Sequence, residues 1–191
     1  MSNVSRVNGL RPVKHIDGSP WNGQLNRYYV PATDSTAIFQ GDLVKLGGAV
    51  DSIGVPSVAK FVAGTDSAAV GVAVGFAINP LNLNSPQYRA ASTASYVLVA
   101  DAPDTVFEIQ SGVAATPTTL TQNAQVADAG GSTTTGQSGM SITSFATTAT
   151  LPLKAMGASL RVDNDITSNN YKVLVAINNH QLNSGTGTAG V

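Results

Sequence analysis

Few residues of this chain have a type and spacing that suit catalysis. Ser57 and Lys60 match the S-x-x-K pattern of a serine nucleophile with a lysine base, but the S-D-N and K-T-G partners of that enzyme class are missing. A serine–histidine–aspartate triad would need His15 or His180, which lie near the two ends of the chain and are poor positions for a preorganised base. The sequence therefore predicts that the protein is not an enzyme.

Metal and cofactor patterns are equally weak. Asp163, Asn164 and Asp165 resemble the start of a calcium loop, but that loop lacks its central glycine and Leu174 stands where an acidic ligand is needed. We predict instead a turn capped by its own side chains. The chain has no cysteine, no H-E-x-x-H motif and no phosphate-binding glycine motif, so we expect no metal and no cofactor. A hydrolase with two facing carboxylates, drawn from the aspartates and Glu108, stays open as an alternative.

Charge is scarce and unevenly placed along the 191 residues, of which 11% are charged. Residues 1–33 carry a balance of +3 and residues 34–191 a balance of −4. This asymmetry favours a basic leading segment that is attracted to an acidic surface, although a solvated tail with incidental charges is the simpler alternative. The net charge of −1 gives no case for nucleic-acid binding. No apolar run is long enough for a spanning helix, and residues 1–10 do not resemble a secretory signal, so we expect no membrane partner.

Residues 1–25 are predicted to form an extended arm. Glycines and prolines interrupt any strand or helix period there, yet apolar residues are spread through the segment. Such a segment has enough apolar groups to become ordered by lying across another surface. Aromatic and arginine side chains are the usual anchors of protein interfaces. The candidate partner-binding residues of this basic segment are Arg6, Arg11, Lys14, Trp21 and Arg27.

The stretch 68–78 is the element around which we expect the body to be built. Its sequence, A-A-V-G-V-A-V-G-F-A-I, alternates bulky apolar residues with alanine or glycine, which is typical of a strand with one bulky face. β-Branched residues and two glycines in a short run disfavour a helix. Gly71 and Gly75 fall on the bare face, where a neighbouring backbone can approach closely.

Roughly nine short strands are predicted in all, with turns of Gly, Pro, Asn and Asp between them and no strong helical period. They include residues 26–32, 36–46 with a turn at Gly41-Asp42, 55–62, 151–162 and 171–177, while Gly47-Gly48 ends the second of these units. Residues 94–110 are interpreted as a hairpin around the turn D-A-P-D. Residues 112–150 are interpreted as edge strands on either side of a long exposed Ser/Thr/Gly loop.

These patterns indicate an all-β fold, an antiparallel β-sandwich or barrel that is jelly-roll-like or tulip-like. The predicted organisation is an extended N-terminal arm over residues 1–25, a body over 26–182 and a flexible tail over 183–191. The sequence thus favours a protein that acts through its surface over one with a catalytic site.

Several runs of the chain resemble small head proteins of tailed bacteriophages. They are R-V-N-G-L-R-P-V-K-H-I-D-G-S-P-W-N-G-Q, Y-Y-V-P-A-T-D, G-D-L-V-K-L, V-G-V-A-V-G-F, Y-V-L-V-A-D-A-P-D-T-V-F-E-I-Q, T-T-A-T-L-P-L-K and I-N-N-H-Q-L. The chain is similar in them to capsid decoration or cement proteins. The resemblance implies a β-rich protein, made in the host cytoplasm, that binds the exterior of an icosahedral capsid as a homodimer or homotrimer. Its implied partner is the major capsid protein.

Our hypothesis is that Arg6, Arg11, Lys14 and Trp21 contribute to capsid binding, and deletion of residues 1–25 tests it. An arm that wraps a neighbour adds contact area and complementary charge, and many copies act together through multivalency. A receptor- or carbohydrate-binding β-sandwich of a phage tail or surface appendage is the alternative, because Ser/Thr/Asn-rich loops suit polar glycans.

Overall fold

The computed structural model describes residues 3–78, 83–183, 187 and 190. This part of the chain contains eleven β-strands and one short 3-10 helix, Thr119–Thr121. The strands, in chain order, are β1 (Arg11–His15), β2 (Asn26–Val30), β3 (Leu43–Val50), β4 (Pro56–Lys60), β5 (Gly71–Phe76), β6 (Ser95–Ala100), β7 (Thr105–Gln110), β8 (Asn123–Asp128), β9 (Met140–Ala146), β10 (Leu153–Ala158) and β11 (Lys172–Ile177).

Two sheets organise these strands. One is a six-stranded sheet with the order β1-β7-β11-β10-β8-β9, and the other is a closed five-stranded barrel with the order β2-β4-β3-β5-β6. Neighbouring strands are antiparallel except for β2 and β4, which are parallel. The predicted all-β fold, an antiparallel sandwich or barrel, is confirmed. Within the described ranges, no helix has the length and apolar character needed to span a bilayer.

Two apolar clusters stabilise the two sheets. The first draws buried side chains from all five barrel strands, including Tyr28, Val44 and Val97. The second lies between the barrel and the six-stranded sheet, where Leu43 and Phe61 of the barrel side join the buried face of the sheet. Each fully buried aliphatic side chain contributes about 1.5–3 kcal/mol, so these contacts account for much of the cohesion. Tyr171, directly before β11, and the alternate residues Val173, Val175 and Ile177 on the strand all enter the second cluster, as their predicted common face requires.

The predicted central strand at 68–78 is present as the shorter strand β5. A register shift between Ala73 and Gly75 breaks the alternation within the strand. Outside it, Ile78 is 77% exposed, and Val70, although fully buried, belongs to a different cluster from Val72. The prediction that the bulky residues of this stretch share one face is therefore wrong. Because β5 contributes to both clusters, it still lies between the barrel interior and the second sheet.

The close approach predicted for the glycines of this strand holds at Gly71 and not at Gly75. A Cβ on Gly71 would lie 2.4 Å from the Ala100 carbonyl oxygen, so only glycine fits between β5 and β6. At Gly75 the nearest atom would be 3.7 Å away, which is ordinary contact.

The predicted hairpin at 94–110 is wrong. Strand β6 pairs with β2 and β5 in the barrel, whereas β7 pairs with β1 and β11 in the six-stranded sheet. The Asp101 carboxylate at one end of the turn accepts hydrogen bonds from Tyr28 Oη (2.6 Å) and Asn26 Nδ2 (2.9 Å) of the barrel. Asp104 at the other end contacts His15 Nδ1 of the sheet at 3.1 Å. The turn therefore carries the chain from one sheet to the other.

An extended N-terminal arm is not seen for residues 3–25. Residues 11–15 form the edge strand β1, and its Pro12 is tolerated because an edge strand needs fewer ladder hydrogen bonds. The segment does become ordered on a surface, as predicted, but that surface belongs to the same molecule. Leu10 is only 2% exposed, and the Asn3 side chain binds the loop at Asp165. The division of the chain into arm, body and tail stays a prediction.

Two of the remaining predictions need correction. Strand β3 continues through Gly47-Gly48, where we expected the unit to end, although the turn predicted at Gly41-Asp42 is present. The loop between β8 and β9 is less exposed than predicted, because Ser138 is buried and Gly131 packs on the Phe39 ring. Strand β9 is an edge strand as expected, whereas β8 lies inside the sheet. Most of the predicted tail, 184–186, 188–189 and 191, lies outside the described residues.

Candidate interaction surface

A groove of about 760 Å³ lies where the N-terminal segment meets the barrel. We call it the N-terminal groove. Its walls come from the segment around β1, from the turn before β3, from β5 and from the β8–β9 loop. The lining residues are Asn8, Leu10, Arg11, Pro12, Val13, Trp21, Gln40, Gly41, Ala73, Val74 and Gln137.

Backbone contacts between two glycines fix the floor of this groove. Leu10 donates its N–H to the Gly41 carbonyl (2.9 Å), and Gly41 donates its own N–H to the Ala73 carbonyl (2.7 Å). Gly9 and Gly41 both have positive φ, +68° and +95°, and a Cβ on Gly9 would lie 2.3 Å from the Gly41 oxygen. Only glycine allows these two backbone segments to approach this closely.

The groove combines an aromatic ring, a cation and amides. The backbone N–H of Trp21 donates to the Val13 carbonyl (3.3 Å), which folds the segment back on β1, and the Trp21 side chain is half-buried against the second cluster. Arg11 is exposed at the rim, and Gln137 donates to Gln40 across the groove (3.0 Å). Such a mixture of an aromatic anchor, an arginine and polar amides is typical of a protein-binding surface.

The structure brings only two of the five predicted partner-binding residues into this groove, namely Arg11 and Trp21. Arg6 lines a second cavity of about 410 Å³. Lys14 is exposed on β1, and Arg27 stacks over the Tyr96 ring on the barrel, 4.5 Å from the ring centroid. The predicted residues therefore face at least three different parts of the surface.

The second cavity lies between residues 3–6 and the loop before β11. Its cations are largely engaged inside the protein, since Arg161 donates to the buried Glu108 (2.6 Å) and Lys172 Nζ donates to the Arg6 carbonyl (2.8 Å). Burial lowers the pKa of Lys172, and the nearby Glu108 carboxylate partly offsets this effect. These contacts hold the N-terminal segment on the outer face of the six-stranded sheet.

The calcium-like stretch at 163–165 forms the capped turn that we predicted. Asp165 Oδ1 accepts hydrogen bonds from the N–H (3.0 Å) and the hydroxyl (2.7 Å) of Thr167, and these bonds lower the pKa of Asp165. Asn164 binds the Ser159 and Lys172 carbonyls through its side-chain amide. Among the residues that the structure describes, no group of three or more histidine, aspartate or glutamate side chains is placed to hold a metal ion.

The two residues of the S-x-x-K match do not meet. They are three positions apart on β4, so their side chains leave opposite faces of the strand. Ser57 Oγ accepts the Ala49 N–H (3.1 Å), while Lys60 Nζ contacts Asp42 Oδ2 (3.1 Å) and Asp128 Oδ2 (2.5 Å). Lys60 therefore belongs to a buried ionic cluster that joins the barrel to β8.

Desolvation and charge oppose one another in this cluster. Burial raises the pKa of Asp42, and the Lys60 ammonium only partly offsets it. Burial also acts to lower the pKa of Lys60, but the Asp42 and Asp128 carboxylates outweigh it, and the pKa of Lys60 is raised.

Arg89 is the most important buried side chain that sequence reasoning missed. Its side chain is fully buried and donates to four backbone carbonyls at 2.6–2.8 Å, those of Pro31, Asp34, Thr36 and Thr93. It thereby closes two loops at one end of the barrel. No local pattern marks this role, because an arginine between loop residues looks like a surface residue in the sequence.

His180 is buried near the C-terminal end of the described chain. Its Nδ1 accepts the Leu182 N–H (3.1 Å), and its backbone forms a bridge with Ala69 beside β5. Burial lowers the pKa of His180 below its ordinary value of 6.5, and the Asp101 carboxylate partly offsets this shift.

We therefore expect the free energy of unfolding to fall as the pH drops below about 6.5. The unfolded His180 takes up a proton in that range, whereas the folded one stays neutral until lower pH, so protons favour unfolding. Urea denaturation at several pH values between neutrality and pH 5 measures the slope. The His180→Gln variant, which keeps His15, should show a smaller change of the free energy of unfolding with pH. An unchanged dependence would assign the effect to other groups.

Comparison with known proteins finds no relative: no family model, no curated protein and no solved structure matches this chain. Its function must therefore be inferred from the sequence and from the surfaces described above.

Proposed function

We propose that this protein is a structural component of a tailed-bacteriophage virion that binds the outer surface of the capsid and joins neighbouring major capsid subunits. The observation that carries the proposal is the N-terminal groove, which presents Arg11 and Trp21 together. The resemblance of the sequence to capsid decoration proteins supports the same conclusion independently. The proposed partners are the major capsid protein and further copies of this chain, as a homodimer or homotrimer on the capsid exterior.

The shape and chemistry of the groove suit a segment of a folded protein. Trp21 offers apolar area with little conformational freedom to lose, and Arg11 at the rim suits an acidic side chain of the partner. Gln40 and Gln137 provide amide donors and acceptors for the backbone of an extended segment. A single groove of this size binds weakly, but many identical copies on one capsid, linked to one another, bind with higher avidity.

Point substitutions test the proposal better than deletion of residues 1–25. The deletion would remove β1 and leave the edge of β7 unpaired, so loss of binding would not distinguish a lost contact from a damaged fold. Arg11→Ala and Trp21→Ala, singly and together, change the groove and keep the backbone of β1.

Purified capsids that lack this protein are mixed with each variant, and the occupancy is measured by co-sedimentation. We expect the double substitution to weaken binding at least tenfold, because truncation of an interface anchor costs about 2 kcal/mol or more. Lys45→Ala is the matched control, since Lys45 is a partly exposed cation that does not line the groove. Equal occupancy of the double variant and the wild type would exclude the groove as the binding site. Glycan binding without capsid binding would favour the receptor-binding alternative.

A further inference from the structure

The buried cluster of Lys60, Asp42 and Asp128 places an amine in contact with a carboxyl group and a second carboxylate beside them. The Lys60 side chain is 7% exposed and the Asp42 side chain 0%, so this pair is shielded from water. Asp128 is 25% exposed and reaches the same ammonium from the other sheet, at 2.5 Å. The Phe39 ring lies 5.5 Å from Lys60 Nζ and adds an apolar wall.

Asp42 is held rigidly against Lys60. Its Oδ2 accepts the Phe39 N–H (2.8 Å), its own N–H donates to the Phe39 carbonyl (3.1 Å), and its carbonyl accepts the Ala73 N–H (2.9 Å). Lys60 is fixed in the register of β3 and β4, directly opposite Val44. Lys60 Nζ is thus kept 3.1 Å from Asp42 Oδ2, in direct contact with the carboxyl group whose carbon it would attack.

We propose that Lys60 and Asp42 condense to form an intramolecular isopeptide bond, with Asp128 as the group that accepts the proton from lysine. The site is a modification site within the barrel and does not depend on the proposed capsid binding. The bond joins the start of β3 to the end of β4 and closes the whole hairpin covalently.

The chemistry balances without an oxidant, reductant or co-reactant. The Lys60 ammonium first gives one proton to the Asp128 carboxylate, and the free amine attacks Cγ of the neutral Asp42 carboxyl. The C–N bond forms, a second proton passes from nitrogen to the Asp42 hydroxyl oxygen, and the C–O bond breaks to release one water molecule. Asp128 then returns its proton to solvent through its exposed side.

The surroundings favour the attack on Asp42, whereas the raised pKa of Lys60 makes proton loss to Asp128 the unfavourable first step. Burial raises the pKa of Asp42, which favours the neutral carboxyl that an amine can attack. The Phe39 N–H on Oδ2 stabilises the negative charge that develops on that oxygen during attack. Reacting groups that a protein holds side by side, as the Lys60 amine and the Asp42 carboxyl are here, reach effective molarities of up to about 10⁵–10⁸ M. Exclusion of water from the site also protects the amide product from hydrolysis.

The mass of the intact full-length protein tests the proposal directly. We expect the purified protein to be lighter than its sequence by one water, and tandem mass spectrometry of a digest to show a peptide around Lys60 linked to one around Asp42. Lys60→Arg and Asp42→Ala should have the full sequence mass. Asp128→Asn, which keeps both reacting groups, should form the bond at least a hundredfold more slowly, because it lacks the proton acceptor.

Two results would overturn the proposal. One is a wild-type protein of full sequence mass with unlinked Lys60 peptides after prolonged incubation of the folded protein. The other is a loss of water that maps to a succinimide, for which Asp17-Gly18 is the chemically obvious alternative site. Circular dichroism of the variants confirms that a missing bond does not reflect a missing fold.

Discussion

Replacement of Arg89 by alanine is expected to lower the free energy of unfolding by about 3–5 kcal/mol. The substitution removes the buried guanidinium that donates to four partly buried carbonyls at 2.6–2.8 Å. The Pro31 and Asp34 carbonyls each keep one backbone donor, but the hydrogen bonds that tie the two loops together through Arg89 are lost. The substitution also leaves a cavity at the end of the barrel. Urea denaturation followed by tryptophan fluorescence and circular dichroism gives the difference in stability.

Lysine at position 89 separates charge from geometry. It keeps the positive charge, but three donors on a point-like ammonium cannot reach carbonyls that lie around the planar guanidinium. We expect Arg89→Lys to recover less than half of the lost stability. Arg27→Ala is the control for an exposed arginine and should cost less than about 1 kcal/mol. A similar small loss for Arg89→Ala would contradict the role assigned to this side chain.

Substitution of Gly41 by alanine is expected to cost about 3 kcal/mol or more, because it combines backbone strain with a direct clash. The residue has φ +95°, and the new Cβ would lie 2.5 Å from the Asn8 carbonyl oxygen. The N-terminal segment must then move away from the barrel, and the hydrogen bond from Leu10 to residue 41 is lost. Denaturation measures the stability, and hydrogen exchange of the Leu10 amide, which should become at least tenfold faster, locates the damage.

Gly54→Ala is the matched control for strain without a clash. Gly54 also has positive φ, +89°, but a Cβ there would meet no atom within 4 Å. We expect a loss of only about 1–2 kcal/mol and normal protection at Leu10. Equal effects of the two substitutions would show that the contact between Gly9 and Gly41 has no importance beyond backbone strain.

The sequence predicts the fold class well where the physical cause is local. Alternation of apolar residues identifies β11 and places Val173, Val175 and Ile177 on one buried face, because the side-chain period of a strand is fixed by its backbone. It does not identify strand partners, since β6 and β7 follow one another with a good turn between them and still enter different sheets. Pairing depends on contacts such as those of Asp101 with Tyr28, which no local pattern reveals.

The candidate surface was predictable only in part, for the same reason. Arg11 and Trp21 were both predicted partner-binding residues, but the sequence predicted an extended arm and not the fold-back on β1 that brings them to one groove. The other wall comes from Gln40 and Gln137, which are distant in sequence and have unremarkable neighbours. The S-x-x-K match drew attention to Lys60, but its real partners, Asp42 and Asp128, are visible only once the two sheets are packed together.

The ordered N-terminal segment has a consequence for the rate of the proposed binding. A free arm would have to adopt its bound shape during association and would lose conformational entropy at that moment. Here β1 is already paired with β7, and Leu10 is already buried, before any partner arrives. Association with the proposed partner would therefore resemble the docking of two rigid bodies, with a rate governed by diffusion and orientation and with little heat-capacity change from folding on contact.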